Sequence, residues 1–260
     1  MPSVTRSGGR RLTYATYGDP DGDPLLFHHG TPGSRLCGAL LDDAARAAGV
    51  RVVAPDRPGF GGSDPDPGRT LGDWADDCGA LADALDLPAF AVAGFSGGGP
   101  FALAAGTDPR ARAVGLVGTA APGDGGGPLS ALARVPPVLG LALRASAWVA
   151  RRRSSEFVVG QFTDRDVPAD VAATVERDFL AAFEGGPAGA VRETRLFADG
   201  WTAPAPARPV RAWHGRADDN AGLDAAQPLV EGLPTADLRV VEADHLGTLL
   251  DVREDLVALA

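Results

Sequence analysis

The chain has 260 residues, of which 45% are hydrophobic and 22% charged, the balance of a globular protein built as one large domain or as a core with an inserted subdomain. A formal net charge of −10 repels polyanions on average, so no nucleic-acid partner is expected. All 24 basic residues are arginine; without lysine there is no Schiff base, no attachment of pyridoxal phosphate and no Walker-type phosphate loop.

The N-terminal residues Met-Pro-Ser-Val-Thr-Arg lack the apolar core of a signal peptide, and no stretch offers the ~18–20 uninterrupted apolar residues of a membrane span. Cys37 and Cys78 fall in predicted helices without a C-x-x-C pair and read as buried thiols of a reducing compartment. The expectation is a cytoplasmic protein acting on a small molecule, with no membrane partner.

In chain order, strand-like runs fall at Arg11–Tyr17, Pro24–His28, Val50–Ala54, Ala89–Gly94, Ala113–Thr119, Val210–Trp213 and Leu238–Val241. Helix-like stretches occupy Ser34–Ala48, Leu71–Leu85, Gly97–Ala105, Leu223–Leu233 and Leu246–Ala260. Short apolar strands alternating with amphipathic helices predict an α/β fold, a mostly parallel sheet with helices on both faces. Ser34 and Ser96 stand where helix N-caps are expected, and Gly49 and Gly106 where helices close. The alternation stops near Pro122. Residues 123–207 are rich in alanine, arginine and proline and predict helices at about 136–151, 168–183 and 188–197, a helical cap inserted into a core of residues 1–122 and 208–260. Trp148, Phe157, Phe162, Phe179, Phe183, Phe197 and Trp201 are candidates for a pocket roof. Arg151-Arg152-Arg153 is read as a solvated helix end, where cations are favourable, in preference to a membrane-surface anchor.

Gly94-Phe95-Ser96-Gly97-Gly98, between a buried strand and an alanine-rich helix, has the G-x-S-x-G pattern of a sharp turn that lifts a serine hydroxyl out of the sheet. Such a hydroxyl needs a general base, an acid to orient it and donors for a developing oxyanion. Of four histidines, His214 and His245 follow the serine, and His245, just past the last strand, is the preferred base. The acid is sought on the loop after the preceding strand, where Asp218 is preferred over Asp219; Asp124 remains open as a third position. The backbone N–H groups of Gly97 and Thr31 are the candidate oxyanion donors, since Pro32 has none to give. His28 and His29 are adjacent and so point to opposite faces of a strand; no metal is expected.

His29-Gly30-Thr31-Pro32-Gly33, Asp56-Arg57-Pro58-Gly59-Phe60-Gly61-Gly62-Ser63, the Ser96 pentapeptide, His214-Gly215-Arg216-Ala217-Asp218 and Asp244-His245 occur in the order found in α/β-hydrolases, and together they resemble that family over nearly the whole chain. The resemblance implies an eight-stranded, mostly parallel sheet, a helical cap inserted before the acid-bearing strand, and a cofactor-free triad of Ser96, Asp218 and His245. Asp56 and Arg57 match a turn that is usually structural in the family. The His-Gly-Thr-Pro-Gly loop is similar to that of proline iminopeptidases, haloperoxidase-like esterases and epoxide hydrolases. A serine nucleophile speaks against epoxide hydrolase or dehalogenase chemistry, and the missing tryptophan after Ser96 against a peptidase. The expected activity is cleavage of an ester, thioester or lactone. An aminopeptidase, a lyase or cyclase on the same scaffold, and a ligand receptor remain as alternatives. A dinucleotide site at Gly97–Ala102 is disfavoured, because the strand that follows ends without the acid a ribose requires.

Overall fold

The computed structural model describes residues 1–122, 130–202 and 204–260; Asp124 lies outside them. Eight strands form one sheet: β1 (Ser3–Thr5), β2 (Arg11–Gly18), β3 (Asp23–His28), β4 (Val50–Pro55), β5 (Phe90–Phe95), β6 (Ala111–Val117), β7 (Val210–Gly215) and β8 (Ala236–Val241). Their spatial order is β1-β2-β4-β3-β5-β6-β7-β8, parallel from β4 to β8 and antiparallel at β1 and β2.

The helices are α1 (Asp42–Ala48), α2 (Asp73–Ala84), α3 (Gly99–Ala105), α4 (Pro136–Ala150), α5 (Ser155–Val159), α6 (Ala169–Ala181), α7 (Ala188–Asp199), α8 (Leu223–Glu231), α9 (His245–Asp251) and α10 (Arg253–Val257). Helices α4 to α7 all lie between β6 and β7. Pro136 and Pro137 open α4 in the first turn, where a missing N–H costs nothing.

Alternation along the strands divides the core in two. Leu25, Phe27, Ala91, Ala93 and Phe95 face one buried cluster, shared with α9, α10 and the α4–α6 helices. Leu26, Phe90 and Val92 face the other, filled by Trp74 of α2 and Phe101 of α3. Both faces of the parallel strands are thus covered, which is why those strands read as continuous apolar runs.

Several expectations are corrected in detail. The predicted helix at Ser34–Ala48 is a 3-10 stretch, Arg35–Leu41, followed by α1. Asp42 and Asp43 start α1, where acidic side chains suit the positive helix end. Ser34 does cap, its Oγ accepting from Leu36 N at 3.2 Å. Ser96 does not: it lies inside a short 3-10 turn, Ser96–Gly98, with no side-chain capping bond. The predicted last helix is broken into α9 and α10 at Val252.

Candidate active site

Register brings the predicted loops to one edge of the sheet. His28 of β3 pairs with Gly94 of β5, Phe95 of β5 with Val117 of β6, and Val117 with Trp213 of β7. The chain therefore leaves β3, β5, β6 and β7 side by side at their carboxyl ends, the edge at which open α/β sheets form their ligand crevice. The chain turns from β4 on one side of β3 to β5 on the other, and the Thr31 loop and the Ser96 turn flank that switch point.

Ser96 has φ +55°, a left-handed conformation uncommon for a residue with a side chain. The turn closes because Gly94 and Gly98 lack side chains: a Cβ on Gly94 would strike the Gly98 carbonyl, and one on Gly98 the His28 carbonyl. Ala120 N donates to the Ser96 carbonyl at 3.1 Å and ties the turn to the segment after β6.

His245 begins α9, whose N-cap Asp244 accepts from Gly247 N at 2.8 Å. Its Nδ1 lies 2.7 Å from Asp218 Oδ2, with both side chains buried. The other Asp218 oxygen accepts from Asn220 N at 3.0 Å and Ala221 N at 2.9 Å, so the tight turn after β7 aims Oδ2 at the imidazole. Asp219 is exposed on the same turn. His214 is buried, with Nε2 bonded to the Ala221 carbonyl at 2.8 Å and 3.6 Å from Asp218 Oδ2. The Phe95 ring stands 4.7 Å from the His245 ring.

Ser96 and His245 line one narrow cavity of about 40 Å³, together with Gly30, Thr31, Phe95, Phe162, Phe179 and other largely apolar side chains. Gly97 and Thr31 abut: a Cβ on Gly97 would fall 2.8 Å from Thr31 Cβ and closer still to its hydroxyl. Only glycine leaves room there for the Thr31 side chain.

A sequence profile described as the alpha/beta hydrolase family matches residues 25–259. The chain belongs to the alpha/beta hydrolase family. A non-heme chloroperoxidase of Streptomyces lividans is 40% identical over 103 residues, which cover 38% of this chain and 36% of that protein. The aligned part thus spans about a third of that relative's length. The crystal structure of the enol-lactonase from Burkholderia xenovorans LB400 superposes with a TM-score of 0.74 at 18% identity, covering 99% of each chain. A thermophilic esterase from Thermogutta terrifontis gives 0.69 at 22% identity over 99% of this chain and 95% of that one. At such identities the structural likeness speaks for the fold.

In this alpha/beta hydrolase several residues that carry no motif signal press on the site. Gly118, just past β6 with φ +50°, faces Asp218 and His245: a Cβ there would come within 3.0 Å of Asp218 Oδ2 and 3.2 Å of His245 Nδ1. A glycine directly after a buried strand is the signal that marks it. Glu193 of α7 is buried and accepts from Arg57 Nε at 2.8 Å, Arg57 Nη2 at 2.7 Å, Arg69 Nη2 at 2.9 Å and the Thr31 hydroxyl at 2.6 Å. Arg57 also donates to the carbonyls of His29 and Gly30. Burial pushes the Glu193 carboxyl up, but the two guanidinium groups and their hydrogen bonds outweigh it and hold it below the ordinary glutamate value.

Asp178 of α6 lines the cavity, and its Oδ1 accepts from both Ser34 N and Ser34 Oγ at 2.8 Å. Burial raises its pKa to about 7 against the pull of the Ser34 bonds. The Thr31 loop is thus held at both ends by acids of the helical insert.

The two histidines of the β3 end take no part in the cavity lining. His28 Nδ1 meets the Ala93 carbonyl at 2.9 Å, and burial lowers its pKa to about 3. His29 Nδ1 meets the Gly30 carbonyl at 2.8 Å. Among the described residues no three His, Cys, Asp or Glu side chains gather as a metal ion would require. Of the candidate roof aromatics, Phe162 and Phe179 line the cavity. The Phe197 ring stands over Gly97, 3.1 Å from where its Cβ would be, whereas Trp148 and Phe157 are exposed.

Proposed function

We propose that the protein is a cofactor-independent serine hydrolase that cleaves an ester, thioester or lactone of a small, largely apolar substrate through an acyl-enzyme on Ser96. The observation that carries this reading is the buried 2.7 Å contact between His245 Nδ1 and Asp218 Oδ2, made by a histidine that shares its cavity with Ser96. Asp218 fixes the tautomer with the proton on Nδ1, which leaves Nε2 free to take the Ser96 proton as Oγ attacks the carbonyl. The Gly97 and Thr31 N–H groups receive the oxyanion, and the helix that begins just past Gly97 adds its positive end. His245 then protonates the leaving group, and water, activated by the same imidazole, releases the acid.

The narrow, mostly apolar cavity favours a short acyl group. The enol-lactonase and esterase among the structural neighbours support ester-type substrates.

The test is hydrolysis of p-nitrophenyl esters of graded chain length, with Ser96→Ala as control, alongside mass spectrometry after fluorophosphonate treatment. Wild type turns over and gains one adduct on the Ser96 peptide, while the variant does neither. A Ser96→Ala protein that retains its esterase rate refutes the mechanism.

A further inference from the structure

Among the described residues the large apolar side chains that stand exposed are Met1, Val135, Val138, Leu141, Trp148 and Phe157. Five of these six belong to one continuous stretch of the helical insert, α4 and its flanks, at 46% to 68% exposure. Single exposed apolar residues need no explanation, but a contiguous set does.

Helix α4 buries Leu139, Leu143, Ala147 and Ala150 on one side. Its opposite side carries Val138, Leu141, Arg144, Ala145 and Trp148, all exposed, at the three- and four-residue spacing of a single helix face. That face runs about 15 Å from Val138 to Trp148. A helix apolar on both sides is normally covered on both. Helix α5 packs beside α4 and adds exposed Phe157.

The stretch of chain that carries this face is charged oppositely to the protein as a whole. Residues 130–160 contain Arg134, Arg144, Arg151, Arg152 and Arg153 against Glu156 alone, in a chain whose formal net charge is −10. The arginines also cap the aromatic rings. The Arg152 guanidinium lies 3.9 Å from the Trp148 ring centre and that of Arg153 5.5 Å from the Phe157 ring centre. Apolar side chains and a tryptophan bordered by arginines form the chemistry of an interfacial helix.

We infer that α4 and α5 form a docking face for an anionic lipid surface, on which Val138, Leu141, Trp148 and Phe157 enter the headgroup boundary and the arginines meet lipid phosphates. Charge selects this occupant over a second copy of the chain, because a two-fold contact would set one arginine-rich face against another. The attachment is peripheral, since no helix among the described residues is long and apolar enough to cross a membrane. The inference does not depend on the chemistry of Ser96.

Co-sedimentation of the full chain with vesicles tests it. Vesicles of phosphatidylcholine alone are compared with vesicles in which about one-third of the lipid is phosphatidylglycerol. The protein pellets with the anionic vesicles, stays in solution with the neutral ones, and is released by high salt. Arg151→Gln/Arg152→Gln/Arg153→Gln lowers partitioning about 100-fold, at roughly fivefold per charge. Leu141→Ser and Trp148→Ser each lower it about tenfold. Thermal melting confirms that these surface variants fold. Absence of binding to either vesicle, or binding indifferent to these substitutions, overturns the inference. So does a lipid-free dimer that Leu141→Ser and Trp148→Ser dissolve, which assigns the face to a second copy.

Discussion

Glu193→Ala removes, among the described residues, the carboxylate that pairs with the buried guanidinium groups of Arg57 and Arg69. Four hydrogen bonds end on Glu193: two from Arg57, one from Arg69 and one from Thr31. At about 1.5–3 kcal/mol for each bond to a charged group, their gross worth is on the order of 6–12 kcal/mol. Much of that is offset by the cost of burying Glu193 in the first place. The net loss on truncation is therefore about 3–5 kcal/mol, the range for breaking a buried pair and leaving its partner uncompensated. Arg69 adds to the cost, since its Nε and Nη1 are already buried without partners.

Urea unfolding at neutral pH measures this as a drop in midpoint at unchanged slope. The carboxyl titrates below its ordinary value in the native state. Its contribution is complete above the ordinary glutamate pKa and disappears as the pH falls through the lowered native one. The gap between wild type and Glu193→Ala thus narrows in acid. A loss below about 1 kcal/mol at neutral pH, the range of an exposed pair, refutes the reasoning.

Two further outcomes are expected. Gly118→Ala places a methyl against Asp218 and His245 at a positive φ; it costs about 1–2 kcal/mol of stability and, by displacing the imidazole, about 100-fold in kcat with KM little changed, whereas unchanged ester turnover would separate Gly118 from the site. Asp178→Asn removes a group whose pKa rises from 3.8 to about 7 on folding. That rise stabilises the native state fully below the unfolded value and is lost as the pH climbs through about 7, so the Tm of wild type falls relative to that of Asp178→Asn between mildly acidic and mildly alkaline buffer. A Tm difference constant across that range contradicts a buried, proton-binding Asp178.

The parallel strands were legible because burial on both faces leaves an uninterrupted apolar run such as Phe90–Phe95. β1 was not: its three residues, Ser3–Thr5, pair antiparallel with β2 at the sheet edge and carry only one apolar side chain. The proximity of Ser96, Asp218 and His245 was readable from chain order, since each stands on the segment that follows a strand and register aligns those strand ends. Glu193 and Asp178 left no trace. A lone acid on an amphipathic helix looks like part of a solvated face, and their partners lie 136 and 144 residues away in sequence. Arg57 was visible within a motif, but its grip on the carbonyls of His29 and Gly30 exists only in three dimensions. Sequence patterns report what each element does locally; ties between the insert and the sheet are long-range and fall outside them.

Those ties bear on how a substrate gets in. A cavity of about 40 Å³ is far below the ~300 Å³ or more of ordinary ligand sites, so an ester must displace something. Among the described residues the ties that fasten the insert to the site include Glu193 to Arg57 and Thr31, Asp178 to Ser34, Gln161 to Asn220, and Asp244 to Thr163 at 2.7 Å, beside the bond from Leu246 N to the Phe162 carbonyl. Swinging the insert away as one body would break them together. It would also release the Thr31 loop and the start of the His245 helix, the parts that the proposed mechanism needs to stay fixed. Room for a substrate must then come from the side chains that line the space, Phe162, Phe179 and Leu246, whose apolar groups hold no hydrogen bond that a change of rotamer would break. A helical insert tied in this way acts less as a door than as the upper half of the Thr31 loop's own scaffold.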